Sequence, residues 1–324
     1  MAEVKSRDLV FFVYPGIKLL DLSGPLQVFS DANDIACVSK RPYRITVVSL
    51  SGGPIRTDTL LEIDTTPVGD FTRRGLDTFV AVGGRGALEA SQDKRIVHAV
   101  ASMSAKSQRV VSICSGTFLL AEAGLLEGKS VVTHWDACDM LAERYPSLSV
   151  QRDRIFVNDG AVWTSAGVTS GIDLSLALVQ EDWGRNVALN VARRLVTYMV
   201  RPGGQSQFSD VLELQIGAAS SRFSTLIEWI RENPSGNLSV AKLAERANMS
   251  SRSFSRRFRD EVGSPPAKFV ETVRLANARR LLEESTASVY SIAHECGFGD
   301  EERMRRTFMR NLNTSPSEYR ARFV

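Results

Sequence analysis

Residues 238–308 contain one helix-turn-helix pattern written twice, and no other feature narrows the fold as far. The first copy reads Leu238-Ser-Val-Ala-Lys-Leu-Ala-Glu-Arg-Ala-Asn-Met-Ser-Ser-Arg-Ser-Phe-Ser-Arg-Arg-Phe258. The second reads Ala287-Ser-Val-Tyr-Ser-Ile-Ala-His-Glu-Cys-Gly-Phe-Gly-Asp-Glu-Glu-Arg-Met-Arg-Arg-Thr-Phe308. Val240, Leu243, Ala244 and Met249 recur forty-nine positions later as Val289, Ile292, Ala293 and Phe298; beyond the turn, Phe254, Phe258 and Pro266 recur at an offset of fifty as Met304, Phe308 and Pro316. A turn absorbs that one-residue difference. Two such units side by side present two recognition helices to successive major grooves of a duplex, so the chain is expected to bind promoter DNA.

Each copy makes local physical sense. Ser239 and Ser288 stand where N-caps are wanted, before apolar residues at helical spacing. Asn248 and Gly297 fall in the turns, where a left-handed backbone is cheap for those residue types. Ser250 or Ser251, and Asp300, can cap the second helices. Phe254/Phe258 and Met304/Phe308, four apart, face inward. That leaves Arg252, Ser255, Arg256 and Arg259 outward on the first reading helix, and Glu301, Glu302, Arg305, Arg306 and Arg310 on the second. Between the units, Pro266 to Glu284 fits a long helix with Phe269, Val273, Ala276 and Leu281 as its apolar face.

Charge is distributed accordingly. From Arg222 onward there are 18 Lys and Arg against 13 Asp and Glu; the rest of the chain holds 22 against 24. A basic end beside a slightly acidic front fits a phosphate-binding module joined to something that does not bind nucleic acid. The 324 residues suit two or three domains. The start is unlike a signal peptide and no apolar run is long enough to span a membrane. Cys37, Cys114, Cys138 and Cys296 are scattered, as are His98, His134 and His294, so neither a disulfide frame nor a metal site is expected. Nor is a cofactor, and a cytoplasmic location follows.

Residues 8 to about 200 alternate strands with helices. Leu9 to Tyr14 is a continuous apolar run, as in a strand buried on both faces of a parallel sheet. Tyr43–Leu50, Thr78–Val82, Arg109–Cys114 and Ser130–Thr133 read as further strands. Ile155–Val157 and Val162–Ser165 pair around an Asn158-Asp-Gly turn. Helices are expected at Leu19–Ala36, Lys94–Lys106, Ser115–Ala123, Asp136–Tyr145 and Ile172–Tyr198, the last broken near Gly184. This is an α/β domain with a mainly parallel sheet.

Cys114 ends one of these strands and is followed by Ser115-Gly116 and a helix. That geometry projects it from the sheet's carboxyl edge, where open α/β sheets bind ligands. The helix N-terminus behind it favours thiolate. Amides there and at Gly83-Gly84 could hold an anion, with Asp21 supplying an acid. The alternative is a small buried thiol that only fills space.

The motifs resemble known families. Residues 222–324, with Ile292-Ala-x-x-x-Gly-Phe298 and Ser315-Pro-x-x-Tyr-Arg320, are similar to the DNA-binding domain of AraC/XylS-type transcriptional regulators, with helix-turn-helix units at 238–261 and 287–312. The resemblance implies base contacts by Arg252, Ser255, Arg256, Glu302 and Arg306, with Arg305 beside them. Residues 8–200 resemble the class I glutamine amidotransferase-like superfamily in its intracellular-protease-like branch, which implies a flavodoxin-like fold. The carrying residues are Asp21-Leu-Ser-Gly-Pro25, Val82-Gly-Gly84, Ile113-Cys-Ser-Gly116, Ala123-Gly-Leu-Leu-Glu-Gly128, Thr133-His-Trp135 and Thr164-Ser-Ala-Gly167. Enzymes of that superfamily commonly place His after the nucleophilic Cys; Ser115 stands there instead. A related enzyme, isonitrile hydratase, uses Asp, Cys and a following hydroxyl, which Asp21, Cys114 and Ser115 would match.

The two parts together, with Arg201-Pro-Gly-Gly-Gln-Ser-Gln-Phe208 in a linker at 201–221, resemble the GlxA-type subfamily of AraC regulators. That resemblance implies a front domain that dimerises and senses a small nitrogenous metabolite, and an activator of catabolic genes that works with RNA polymerase. The effector is expected near Asp21, Gly84, Cys114, Ser115, His134 and Trp135, and an amino-acid-like or betaine-like molecule suits that set. The alternatives are a cysteine-dependent hydrolase or hydratase carrying a DNA-binding tail, and a redox sensor acting through Cys114.

Overall fold

The computed structural model describes residues 6–36, 42–71, 75–199, 205, 222–312 and 314–321. The chain forms two compact units, Met1–Arg201 and Pro202–Val324. Cys37 and, Gln205 apart, the linker expected at 201–221 lie outside the described residues.

The front unit opens with β1 (Arg7–Phe12), α1 (Leu19–Ile35), β2 (Tyr43–Ser49), β3 (Gly53–Arg56), β4 (Glu62–Pro67) and β5 (Leu76–Ala81). Next come α2 (Ala87–Gln92), α3 (Lys94–Ser104), β6 (Ser107–Ile113), α4 (Gly116–Glu122), β7 (Ser130–Val131), α5 (Cys138–Arg144) and β8 (Ser149–Val150). It closes with β9 (Phe156–Asp159), β10 (Val162–Ser165), α6 (Ser170–Trp183) and α7 (Arg185–Arg194). The main sheet runs β3-β4-β2-β1-β5-β6-β10-β9, parallel from β4 to β10 and antiparallel at each end. β1 is central, with Leu9 opposite both Ile45 and Thr78, and its residues Leu9 to Phe12 are at most 1% exposed.

From β1 the chain crosses to β2 on one side, while β5, β6 and β10 lie on the other. Right-handed crossovers in opposite directions put helices on opposite faces: α1 packs with α6 and α7, and α2 and α3 with α4. The carboxyl ends of β1 and β5 therefore form the switch point where such sheets bind ligands. At the other edge, Asp182 gathers Arg109 (2.7 Å), Arg7 (3.4 Å) and the Tyr43 hydroxyl (2.9 Å), pinning the end of α6 to three strands. The break expected near Gly184 occurs there, at φ +83°.

The second unit is helical: α8 (Ser224–Glu232), α9 (Val240–Arg246), α10 (Ser251–Val262), α11 (Pro266–Glu284), α12 (Val289–Glu295), α13 (Glu301–Leu312) and α14 (Pro316–Arg320). It has two cores. Phe223, Ile227, Phe254, Phe258 and Phe269 form one; Leu282, Ile292, Met304, Phe308 and Tyr319 belong to the other. α11 serves both, which corrects the expected single stripe. Phe269, Val270 and Val273 enter the first core, and Leu275, Ala278 and Leu282 the second, while Ala276 is exposed and Leu281 only partly buried.

Candidate effector site and DNA-binding face

Asp21 (start of α1), Gly84 (after β5), Cys114 (after β6) and Val168 (after β10) come together at the carboxyl edge of the front sheet. Cys114 has φ +56°, a left-handed conformation that costs a residue with a Cβ on the order of 1–3 kcal/mol. Its surroundings hold it there. Its amide donates to the Ser165 carbonyl at 3.1 Å, and its own carbonyl accepts from Thr117 Oγ1 at 3.1 Å and Thr133 Oγ1 at 2.9 Å. Gly167 makes room for the thiol: a Cβ on it would lie 2.5 Å from Cys114 Sγ.

Asp21 is wholly buried. Its Oδ1 accepts from the Val168 amide at 2.6 Å, and Val168 adopts φ +53° in presenting that amide. Oδ2 has no hydrogen-bond partner of regular geometry, though the Cys114 thiol lies close enough to favour the ionised form. Burial nonetheless raises the Asp21 pKa above the usual carboxylate value, against the Val168 bond and the charges of Lys18 and His134.

The thiolate expected at Cys114 is corrected. Burial, and then the negative charge of Asp21, push this thiol well above its ordinary pKa, outweighing the Ser115 amide that favours thiolate. The expected anion cradle changes too. Ser115 Oγ accepts from the Gly84 amide and donates to the Gly84 carbonyl, each at 2.9 Å. One hydrogen-bond pair thus engages both the amide meant for an anion and the hydroxyl meant to assist the cysteine.

Of the two remaining expected residues, His134 is near enough for Asp21 to feel its charge, but its Nδ1 is bonded to Asp136. Trp135 stacks obliquely on His134 with centroids 5.5 Å apart and is 49% exposed. Tyr14 had not been singled out. It is buried, its hydroxyl donates to the Val82 carbonyl at 2.8 Å, and Cys114 and Asp21 both act on its ionisation. The signal was a tyrosine ending a buried strand, where a phenol needs a partner. Among the described residues no His, Cys, Asp and Glu cluster is arranged to hold a metal ion.

In the second unit both turns have the left-handed residue the sequence called for, Asn248 at φ +54° and Gly297 at φ +78°. Ser250 Oγ accepts from the Ser253 amide, Ser288 Oγ from the Ser291 amide, and Asp300 from the Arg303 amide at 2.7 Å. On α10, Arg252 and Arg256 are exposed and form no ion pair among the described residues, with Ser255 half-buried between them. On α13 the arginines are engaged. Glu302 accepts from Arg305 Nε at 2.7 Å and Nη2 at 2.9 Å and lies 3.8 Å from Arg306, while Arg310 pairs with Glu271 of α11. The Ser315-to-Arg320 motif is architectural: a Ser315–Glu318 capping box starts α14, and buried Tyr319 bonds Glu283 and Arg279 of α11.

Residues 7–181 match the DJ-1/PfpI family. The chain belongs to that family. Residues 243–322 match a helix-turn-helix domain, and the pairing of these two modules is the GlxA-type layout read from the sequence. The DJ-1/PfpI chain is 29% identical to the HTH-type transcriptional regulator CdhR of Pseudomonas aeruginosa, over 98% of its own length and 92% of that protein's. It is 33% identical to an isonitrile hydratase of Pseudomonas putida over 57% of its length and 76% of the hydratase. A solved THiJ/PfpI family protein from Pseudomonas syringae superposes with a TM-score of 0.54 at 29% identity, covering 61% of this chain and 78% of that one. The DJ-1/PfpI chain is a transcriptional regulator with a helix-turn-helix DNA-binding domain, and no helix among its described residues is long and apolar enough to cross a membrane.

Proposed function

We propose that the front unit is a receptor for a small nitrogenous metabolite and that the protein activates catabolic genes as a homodimer, in concert with RNA polymerase. The observation that carries the receptor reading is the closed ring of bonds between Ser115 and Gly84 beside a neutral Cys114. The groups a nucleophilic mechanism would use are occupied, whereas the buried Asp21 Oδ2 still lacks a regular partner. A ligand that brings a donor to Oδ2 satisfies a group whose isolation is unfavourable. An amino-acid-like ammonium would supply that donor, whereas a betaine-like cation, which has no N–H, would offer the carboxylate only its charge; pairing sites in a dimer raises DNA affinity through effective concentration.

On the DNA side, Arg252, Ser255 and Arg256 are the principal base readers in this proposal, with Glu302, Arg305 and Arg306 a weaker second set. Arg256→Ala should cost about 1–3 kcal/mol at the specific promoter site, as loss of a bidentate guanine contact does, and largely spare non-specific binding. Equal losses at both kinds of DNA would make Arg256 a phosphate contact.

The isonitrile hydratase relative and the closeness of Asp21 to Cys114 favour one other reading, a cysteine-dependent hydratase. Reporter activation and isonitrile hydration measured together on wild type, Asp21→Asn and Cys114→Ala separate the two. The receptor reading expects a response impaired by Asp21→Asn and no turnover. Turnover by wild type that vanishes in Cys114→Ala would establish the enzyme, and an effector response untouched by Asp21→Asn would remove the receptor site.

A further inference from the structure

A cavity of about 360 Å³ opens in the front unit beside the ends of β1 and β2, under α2 and the start of α3. Its volume falls within the range of small-ligand sites. Tyr14, Leu50, Ile55, Ala90 and Ile96 give it an apolar wall. The rim is held by short hydroxyl side chains on one side and by backbone on the other. Ser49 Oγ holds the following loop through the Gly52 amide at 3.0 Å and is itself bonded to Thr65 Oγ1 at 2.7 Å. Across the mouth, Gly86 donates to the Gly16 carbonyl at 3.2 Å, and a Cβ on it would meet the Pro15 carbonyl at 2.2 Å. The hollow is thus preformed.

Three charged residues line it: Glu89, Asp93 and Arg95. Asp93 takes two bonds from the Arg95 guanidinium, at 3.1 and 2.7 Å, and a third from the Arg95 amide at 2.9 Å, so that pair satisfies itself. Glu89 forms no ion pair among the described residues. One uncompensated carboxylate therefore stands at the mouth of an apolar hollow.

We propose that this cavity is a second small-molecule site, which takes a compact ligand with an apolar body and a protonated amine, the body against Tyr14, Leu50 and Ile96 and the ammonium on Glu89. It is separate from the Asp21–Cys114 site and does not depend on it. Tyr14 lines this cavity, and Cys114 and Asp21 of the other site act in turn on its ionisation, so the two sites share one wall residue.

Three probes of one shape test the proposal on the full-length protein: cyclohexylmethylamine, cyclohexylmethanol and cyclohexanecarboxylate, titrated with ligand-observed NMR and a thermal-shift readout. The amine should bind about tenfold more tightly than the alcohol, the scale of one charge-assisted contact, and the carboxylate should bind least. Glu89→Gln should bring the amine level with the alcohol. Ala90→Phe fills the hollow and should abolish binding of both; if that variant does not fold, Ser51→Trp at the exposed rim closes the mouth instead. The proposal is overturned if no probe binds, if the carboxylate rivals the amine, or if binding survives Glu89→Gln and Ser51→Trp unchanged. Amine binding lost in Asp21→Asn but kept in Glu89→Gln would overturn it too, by assigning the amine to the other site.

Discussion

At Cys114 a left-handed backbone is held by Ser165, Thr117 and Thr133, while burial and Asp21 deny the thiol its charge. Reactivity toward alkylating agents follows thiolate content, and burial with Asp21 alongside suppresses it here. Iodoacetamide at neutral pH should therefore modify Cys114 at least about tenfold more slowly in the native protein than in urea, as followed by peptide mass mapping. Faster native modification would return Cys114 to the ranks of nucleophiles. Asp21 carries a pH signature as well. Its native pKa lies above the ordinary 3.8, so the folded state keeps this proton after the unfolded chain has released it. The stability tied to that proton is complete below 3.8 and is lost as pH rises through the native pKa. The melting temperature of Asp21→Asn relative to wild type should therefore climb across that interval and level off above it. A flat difference would mean that burial does not govern this carboxyl.

Elements were legible from sequence where burial imposes a period on them. The central strands read as unbroken apolar runs because both faces are covered, and the paired helix-turn-helix units because two phenylalanines, or a methionine and a phenylalanine, recur at one spacing. β3 and β4 escaped notice: at the sheet's end their residues are mostly exposed, so no alternation is required of them. α11 was recognised but its face was misjudged, because a helix shared by two cores has no single stripe. The strand-turn-helix junction at Cys114 was placed correctly, yet its electrostatics were not, since depth of burial is a property of the surrounding packing and has no local signature. The contrast between α10 and α13 was half visible in Glu301 and Glu302; the intrahelical clamp needed coordinates. Releasing it is informative. Glu302→Gln should free Arg305 and Arg306 for phosphate, strengthen non-specific DNA binding and steepen its salt dependence by about one to two counterions. An unchanged slope would mean that the clamp does not restrain these arginines.

Across the DNA-binding unit the two cores are joined by more than α11. Arg274 in the middle of that helix donates to the Pro234 carbonyl at 2.9 Å and the Gly236 carbonyl at 3.0 Å, both in the loop after α8. The turn of the second helix-turn-helix lies on the same loop so closely that a Cβ on Gly297 would meet the Pro234 carbonyl at 2.2 Å. Gly297 thus answers two demands, a left-handed turn and a contact between subdomains, and Gly297→Ala should lower the melting temperature of this unit more than a turn mutation alone. Two reading heads bolted to one frame behave as a ruler. With both units reading bases as proposed, they would test whether two short sequences share a face of the duplex, and twist between those sequences would be as decisive as their bases. About five base pairs inserted between the half-sites turn one of them to the far side of a helix whose repeat is about 10.5 base pairs. Binding measured by electrophoretic mobility shift should collapse on that operator, and a full inserted turn should not restore it, because one frame fixes the distance between its heads as well as their phase. Arg274→Ala should blunt the collapse: a loosened frame keeps its vocabulary and loses its sense of phase.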